Sequence, residues 1–275
     1  MTFIITLISL VIERFFHWSH LRHWRWFNLY QRWLSHSRIS RLPSFVLFLL
    51  SVLPATFLVA LMNYFLNGWF YGVLKILFGI AILLYCLGPK NIWVQSYRCI
   101  NQLHKEDPKI AVDCIQAEFG IGSIDTSQQF HQAFTRAIFI AGYQRVFAVV
   151  FWFVLLGPAG AVLYRSITLM SEESPLGLTY TAKQIQQLLD WIPIRILTFI
   201  FALGGHFTRV ITCWKKSVLK GPETNDAMLA ECGMAALDVE GNAIPEDGVA
   251  ERDAISLLDR VFVMALVILA IVVLV

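Results

Sequence analysis

Leu156-Gly157-Pro158-Ala159-Gly160-Ala161-Val162-Leu163-Tyr164-Arg165 closes the fourth long apolar stretch of this chain. A glycine–proline break and a terminal arginine are costly inside a bilayer-crossing helix, so their presence asks for a structural or functional reason. The surrounding composition fixes the setting. Of 275 residues, 57% are hydrophobic and 15% charged, and the mean hydropathy is +0.62, which predicts a polytopic membrane protein. The net charge of +3 gives no reason to expect a nucleic-acid partner.

About 20 apolar residues are needed to cross the hydrocarbon core. Residues 44–66, 69–87, 137–164, 192–214 and 254–275 meet or approach that length, and 2–16 form a marginal sixth segment, so five or six spans are expected. The fold class is therefore all-α, a membrane helical bundle treated as a single domain over 1–275. Asn67-Gly68 reads as a tight turn between the second and third spans. Residues 88–135 read as two amphipathic helices, the second entered through Asp125-Thr126-Ser127-Gln128. Residues 215–258 begin basic, turn acidic and carry Gly221-Pro222, Gly241-Asn242 and Pro245, which predicts a partly mobile excursion.

Basic residues near spans stay on the cytoplasmic side. Segment 17–43 has Arg22, Arg25, Arg32, Arg38 and Arg41 with no acid, whereas 166–190 has Lys183 against Glu172, Glu173 and Asp190. The expected topology puts 17–43, 88–135 and 215–258 in the cytoplasm, 166–190 as a periplasmic loop, and both termini outside, in a bacterial inner membrane. Met1–Ile12 lacks a cationic start and a small-residue cleavage site, so it reads as a retained segment rather than a signal peptide. Cys86, Cys99, Cys114, Cys213 and Cys232 contain no C-x-x-C pair and read as reduced thiols or small apolar packers.

Ionisable groups in apolar runs are the first candidates for function. Glu13 and Lys75 lie close enough to segment ends to snorkel, Arg145 is expected to face a polar interior with a carboxylate or carbonyl partner, and His206 follows Gly204-Gly205, which permit close helix approach. His17, His20 and His23 lack the face and the interleaved carboxylate of a metal site; with Trp18, Trp24, Trp26 and the arginines they read as an interfacial segment on anionic lipid. No metal or cofactor is expected. Arg165 and Arg195, with Tyr164 and Asp190 beside them, are the candidate ligand-binding residues, because two arginines at one membrane level can hold a phosphate or carboxylate; helix-end anchoring is the alternative.

At these residues the chain resembles the AmpE family, through Ile12-Glu13-Arg14-Phe15, Leu189-Asp190-Trp191-Ile192-Pro193-Ile194-Arg195, Ala202-Leu203 and Gly205-His206. It is more distantly similar to the CobD/CbiB cobalamin-biosynthesis enzymes, through Gly157–Ala161, Tyr164-Arg165 and Pro193-Ile194-Arg195. Departures from the enzymes matter. Ser166-Ile167-Thr168-Leu169-Met170 lacks the Asn and Asp of their N-T-L-D-S-M motif, Asp190 replaces an Asn, and their early E-N, D-P and H-P-V motifs have no counterpart. The first resemblance implies an inner-membrane signalling protein linked to β-lactamase induction and cell-wall status, and the departures imply lost or altered chemistry. The alternative is a CobD/CbiB-like enzyme or transporter for a phosphorylated or carboxylated small molecule. Expected partners are membrane lipids, a cell-wall-derived small molecule and a soluble cytoplasmic protein, with homo-oligomerisation left open.

Overall fold

A computed structural model describes residues 2–15, 24–37, 43–66, 72–87, 92–103, 108–121, 127–237 and 248–274. The three histidines at 17–23, the Asn67-Gly68 turn, the Asp125-Thr126 helix start and the breakers at 241–245 lie outside them. The described residues are helical, with no strand among them: α1 (Thr2–Phe15), α2 (Arg25–His36), α3 (Ser44–Phe65), α4 (Val73–Cys86), α5 (Ile92–Leu103), α6 (Pro108–Phe119), α7 (Ser127–Gly142), a π-helical turn (Tyr143–Phe147), α8 (Ala148–Leu156), α9 (Pro158–Glu172), α10 (Thr179–Gly204), α11 (Phe207–Ser217), α12 (Asn225–Ala236) and α13 (Val249–Leu274). Ser44–Phe65, Gln128–Leu156, Thr179–Gly204 and Val249–Ile271 are long and apolar enough to cross a membrane, and Thr2–Glu13 and Val73–Cys86 are shorter apolar helices. The protein is an all-α membrane helical bundle.

Its residues form two compact units, 1–89 with 148–190 and 90–147 with 191–275. In the first unit, α9 packs against α3, α4 and α8. Ten of its residues, including Tyr164, Arg165, Ser166 and Thr168, are buried. A helix buried almost all round is normally apolar, so this polar content marks a functional or highly specified centre. In the second unit α7 packs with α12 and α13, and α5 with α6 and α13. Gly142 and Gly204 bring α7 and α10 against Leu258 and Val261 of α13, where an added Cβ would meet side-chain carbons at 2.8 and 2.9 Å.

Four expectations change. The 137–164 span is not one helix: Gly157 adopts φ 71°, Pro158 starts a new helix at its first turn, and Gly160 lies where a Cβ would collide with the Trp152 carbonyl, so the chain turns sharply into α9. The 192–214 span ends at Gly204, because Gly205 lies against the Ala236 backbone and the His206 N–H bonds its carbonyl at 3.1 Å. Residues 166–190 are mostly α9 and α10, joined by a short connection at 173–178. Segment 88–135 holds three helix starts rather than two. Within 215–258, the described residues include α12.

Candidate functional site

The α9–α10 hairpin aligns a polar ladder inside the first unit. Tyr164, Thr168 and Ser171 share one face of α9 by their i, i+4, i+7 spacing, and Gln186 and Asp190 share one face of α10. The Tyr164 hydroxyl donates to Asp190 Oδ1 at 2.9 Å, and Ser171 Oγ lies within hydrogen-bond reach of Gln186 Oε1 and the Thr168 carbonyl. Thr168 donates back to the Tyr164 carbonyl at 3.0 Å, so its hydroxyl needs no partner outside the helix.

Arg165 stands beside this ladder with 7% of its surface exposed, and its Nε has no hydrogen-bond partner among the described residues. Instead of terminating a span it lies about two turns into α9. A buried guanidinium without a carboxylate is expensive, and an anion is the group that best offsets that cost. One turn before it, Val162 lines a cavity of about 330 Å³ walled by Trp24, Trp26, Tyr30, Leu58 and Tyr85. The Tyr85 hydroxyl accepts from Trp26 Nε1 at 2.7 Å, which ties α2 to α4 at that wall.

Arg195 belongs to the second unit and has a different environment. Its Nε donates to the Val218 carbonyl at 3.1 Å, one terminal nitrogen to the Trp191 carbonyl at 2.8 Å and Asn225 Oδ1 at 2.6 Å, and the other to the Lys220 carbonyl at 2.8 Å. Its guanidinium lies 4.4 Å from the Trp191 ring centroid. Four of the five N–H groups are thus committed, two of them to carbonyls just beyond the C-terminal end of α11, where intrahelical donors run out. The structure uses Arg195 as a bracket for that turn. Arg165 and Arg195 thus lie in different units, and each is described in its own.

The other candidates are dispersed. Arg145, in the π-helical turn, donates to Gln95 Oε1 on α5 and to the Glu118 carbonyl at 3.3 Å. Glu13 is buried on α1, Lys75 is half-buried on α4, and His206 is exposed in the break between α10 and α11. A pair unforeseen from sequence lies in the second unit: His131 Nδ1 and Glu251 Oε1 are 2.7 Å apart, both buried, joining the starts of α7 and α13. Glu251 Oε2 has no partner among the described residues. No group of three or more metal-ligating side chains occurs among the described residues.

A sequence model of the family described as "Regulatory signalling modulator protein AmpE" matches residues 1–275. The chain belongs to the AmpE family. This AmpE-family protein is also similar to curated relatives named "Cobalamin biosynthesis protein CobD". One, from Stutzerimonas stutzeri (strain A1501), is 29% identical over 211 residues, covering 71% of this chain and 65% of the relative. Another, from Chromobacterium violaceum, is 25% identical over 183 residues, covering 62% and 58%. The match spans less than two thirds of those relatives' lengths. No solved structure matches this AmpE-family chain.

Proposed function

We propose that the protein is a non-catalytic, multi-pass inner-membrane regulator that couples cell-wall status to β-lactamase induction, with the α9–α10 polar centre as its sensing site. The buried Arg165, whose Nε has no hydrogen-bond partner among the described residues and which adjoins the Tyr164–Asp190 pair, is the observation that carries this reading. A carboxylated or phosphorylated cell-wall fragment supplies the anion such a guanidinium recruits. The family description supports a regulatory role. Non-catalysis is supported by Ser166-Ile167-Thr168-Leu169-Met170, which keeps a Thr-Leu pair but lacks the Asn and Asp of the motif that the resemblance to the CobD/CbiB enzymes implies. Lipid chains suit the aromatic cavity beside α2, and the helices of 88–135 and 215–258 offer surface to a soluble partner.

The test is native mass spectrometry of the purified chain with a defined muropeptide and with inorganic phosphate. Retention by the unmodified protein and loss in Arg165→Ala supports the site; equal retention by both overturns it. A second reading, a membrane enzyme or transporter for a phosphorylated or carboxylated compound, is favoured by the CobD similarity. Binding of a corrinoid in the same experiment selects it.

A further inference from the structure

Four of the five cysteines come in pairs across helical hairpins. Cys99 on α5 is hydrogen-bonded to Cys114 on α6, and the Cys232 thiol on α12 approaches Cys213 Sγ on α11 at 2.9 Å. All four, like Cys86, are free cysteines. Each pair joins one buried thiol, Cys99 or Cys232, to one half-buried thiol, Cys114 or Cys213, and the second pair differs from the first in charge and in its Sγ–Sγ approach. Cys213 is half-exposed while Cys232 is buried, so an approaching molecule meets Cys213 first. Lys216 lies less than one turn beyond Cys213 on α11, Lys220 lies in the following turn, and Glu231 of α12 is the opposing acid.

We propose that Cys213 and Cys232 form a thiol–disulfide exchange site, Cys213 attacking and Cys232 resolving, with a low-molecular-weight disulfide as substrate. In the first step the Cys213 thiolate bonds to one sulfur of the disulfide, whose S–S bond breaks and releases one thiolate. In the second, the Cys232 sulfur bonds to Cys213 Sγ, the mixed S–S bond breaks, and the Cys232 proton goes to the second leaving thiolate. The two protein thiols are oxidised by two electrons and one disulfide is reduced to two thiols. From 2.9 Å, the Sγ atoms must close by roughly 0.9 Å to reach the bond length of about 2.05 Å.

The electrostatics agree with the division of labour. The hydrogen bond from Cys232 holds the Cys213 thiol below its ordinary range, aided by Lys216 and Lys220 and opposed by burial and Glu231. Cys232, the donor of that bond and more deeply buried, is pushed up, as suits a resolving thiol protonated until it reacts. In the first pair Cys99 is pushed up, chiefly by burial, with Glu118 adding to it and Arg98 opposing. The consequence of oxidation is mechanical. A Cys213–Cys232 bond closes a ring containing Val218, Lys220 and Asn225, the residues that hold Arg195 of α10.

The experiment treats the reduced full-length chain in detergent with oxidised glutathione, followed by alkylation and peptide mass spectrometry. A linked Cys213–Cys232 peptide, lighter by about 2 Da than its reduced parts, is expected, while Cys86 is recovered as a free thiol once the chain is unfolded for alkylation. Cys232→Ser should trap glutathione on Cys213, and Cys213→Ser should abolish both products. Alkylation of reduced Cys213 against pH should have its midpoint below the free-thiol value of about 8.5, and Lys216→Gln with Lys220→Gln should raise it. Absence of the linked peptide in the unmodified chain, which depends on no variant folding, overturns the proposal. So does glutathione found on Cys232 instead of Cys213.

Discussion

The Tyr164 hydroxyl and Asp190 Oδ1, 26 residues apart in sequence, meet at 2.9 Å in the buried centre of the first unit. This bond ties α9 to α10 at the residue that immediately precedes Arg165. Tyr164→Phe removes a donor to a buried carboxylate and should cost about 1.5–3 kcal/mol. Thermal unfolding in detergent should show a clear fall in melting temperature, with Asp190→Asn milder than Asp190→Ala. An unchanged melting temperature for Tyr164→Phe would remove the bond from the account.

Two glycines of the opening motif should fail for different reasons. Gly157 has open space around it but a positive φ, so Gly157→Ala should cost about 1–2 kcal/mol of backbone strain. Gly160 faces the Trp152 carbonyl, and Gly160→Ala should cost about 3 kcal/mol, the upper end of overpacking. Comparing the stabilities of the two variants tests the assignment, and the reverse order contradicts it.

Arg195→Lys keeps the charge but loses the planar fork that reaches the Val218 and Lys220 carbonyls together. Hydrogen exchange across 218–225 should accelerate by about tenfold, equivalent to about 1.4 kcal/mol. Unaltered exchange would mean that the turn holds itself.

His131 and Glu251 should be energetically coupled. A cycle of His131→Gln, Glu251→Gln and the double variant should return an interaction of about 1–3 kcal/mol in unfolding free energy. Additive effects would show that the 2.7 Å approach contributes nothing to stability.

Reporter fusions at Glu173 and Asp107 test the membrane orientation inferred from Lys and Arg placement. Periplasmic signal at Glu173 and cytoplasmic signal at Asp107 are expected; the opposite pattern reverses the orientation.

Much of the fold was legible because bilayer-length apolar runs have few readings, and Gly157-Pro158 announces a break. What escaped was the consequence of that break. Hydropathy averaged over 137–164 runs smoothly across Gly157, so α9 reads as the end of a span although it is a separate, 15-residue helix. Residues 179–190 look like a polar loop because Lys183 and Gln184 are exposed to the surroundings while Gln186 and Asp190 turn toward α9, so polar residues stand on both faces of one helix. Leu178, Ala182, Gln186 and Asp190, all buried and four apart, were the available signal of a helix stripe. Arg145–Gln95 and His131–Glu251 join positions 50 and 120 residues apart, a distance over which helical periodicity carries no information. The cysteine pairs escaped likewise, since spacing along the chain hides partners facing across a hairpin.

Arg165 is proposed to read an anionic signal. β-Lactamase induction should be measured in cells carrying Arg165→Ala or Arg165→Lys at protein levels matched to the unmodified chain. Lost regulation in Arg165→Ala with partial retention in Arg165→Lys is the predicted result. Full induction control in Arg165→Ala would contradict it.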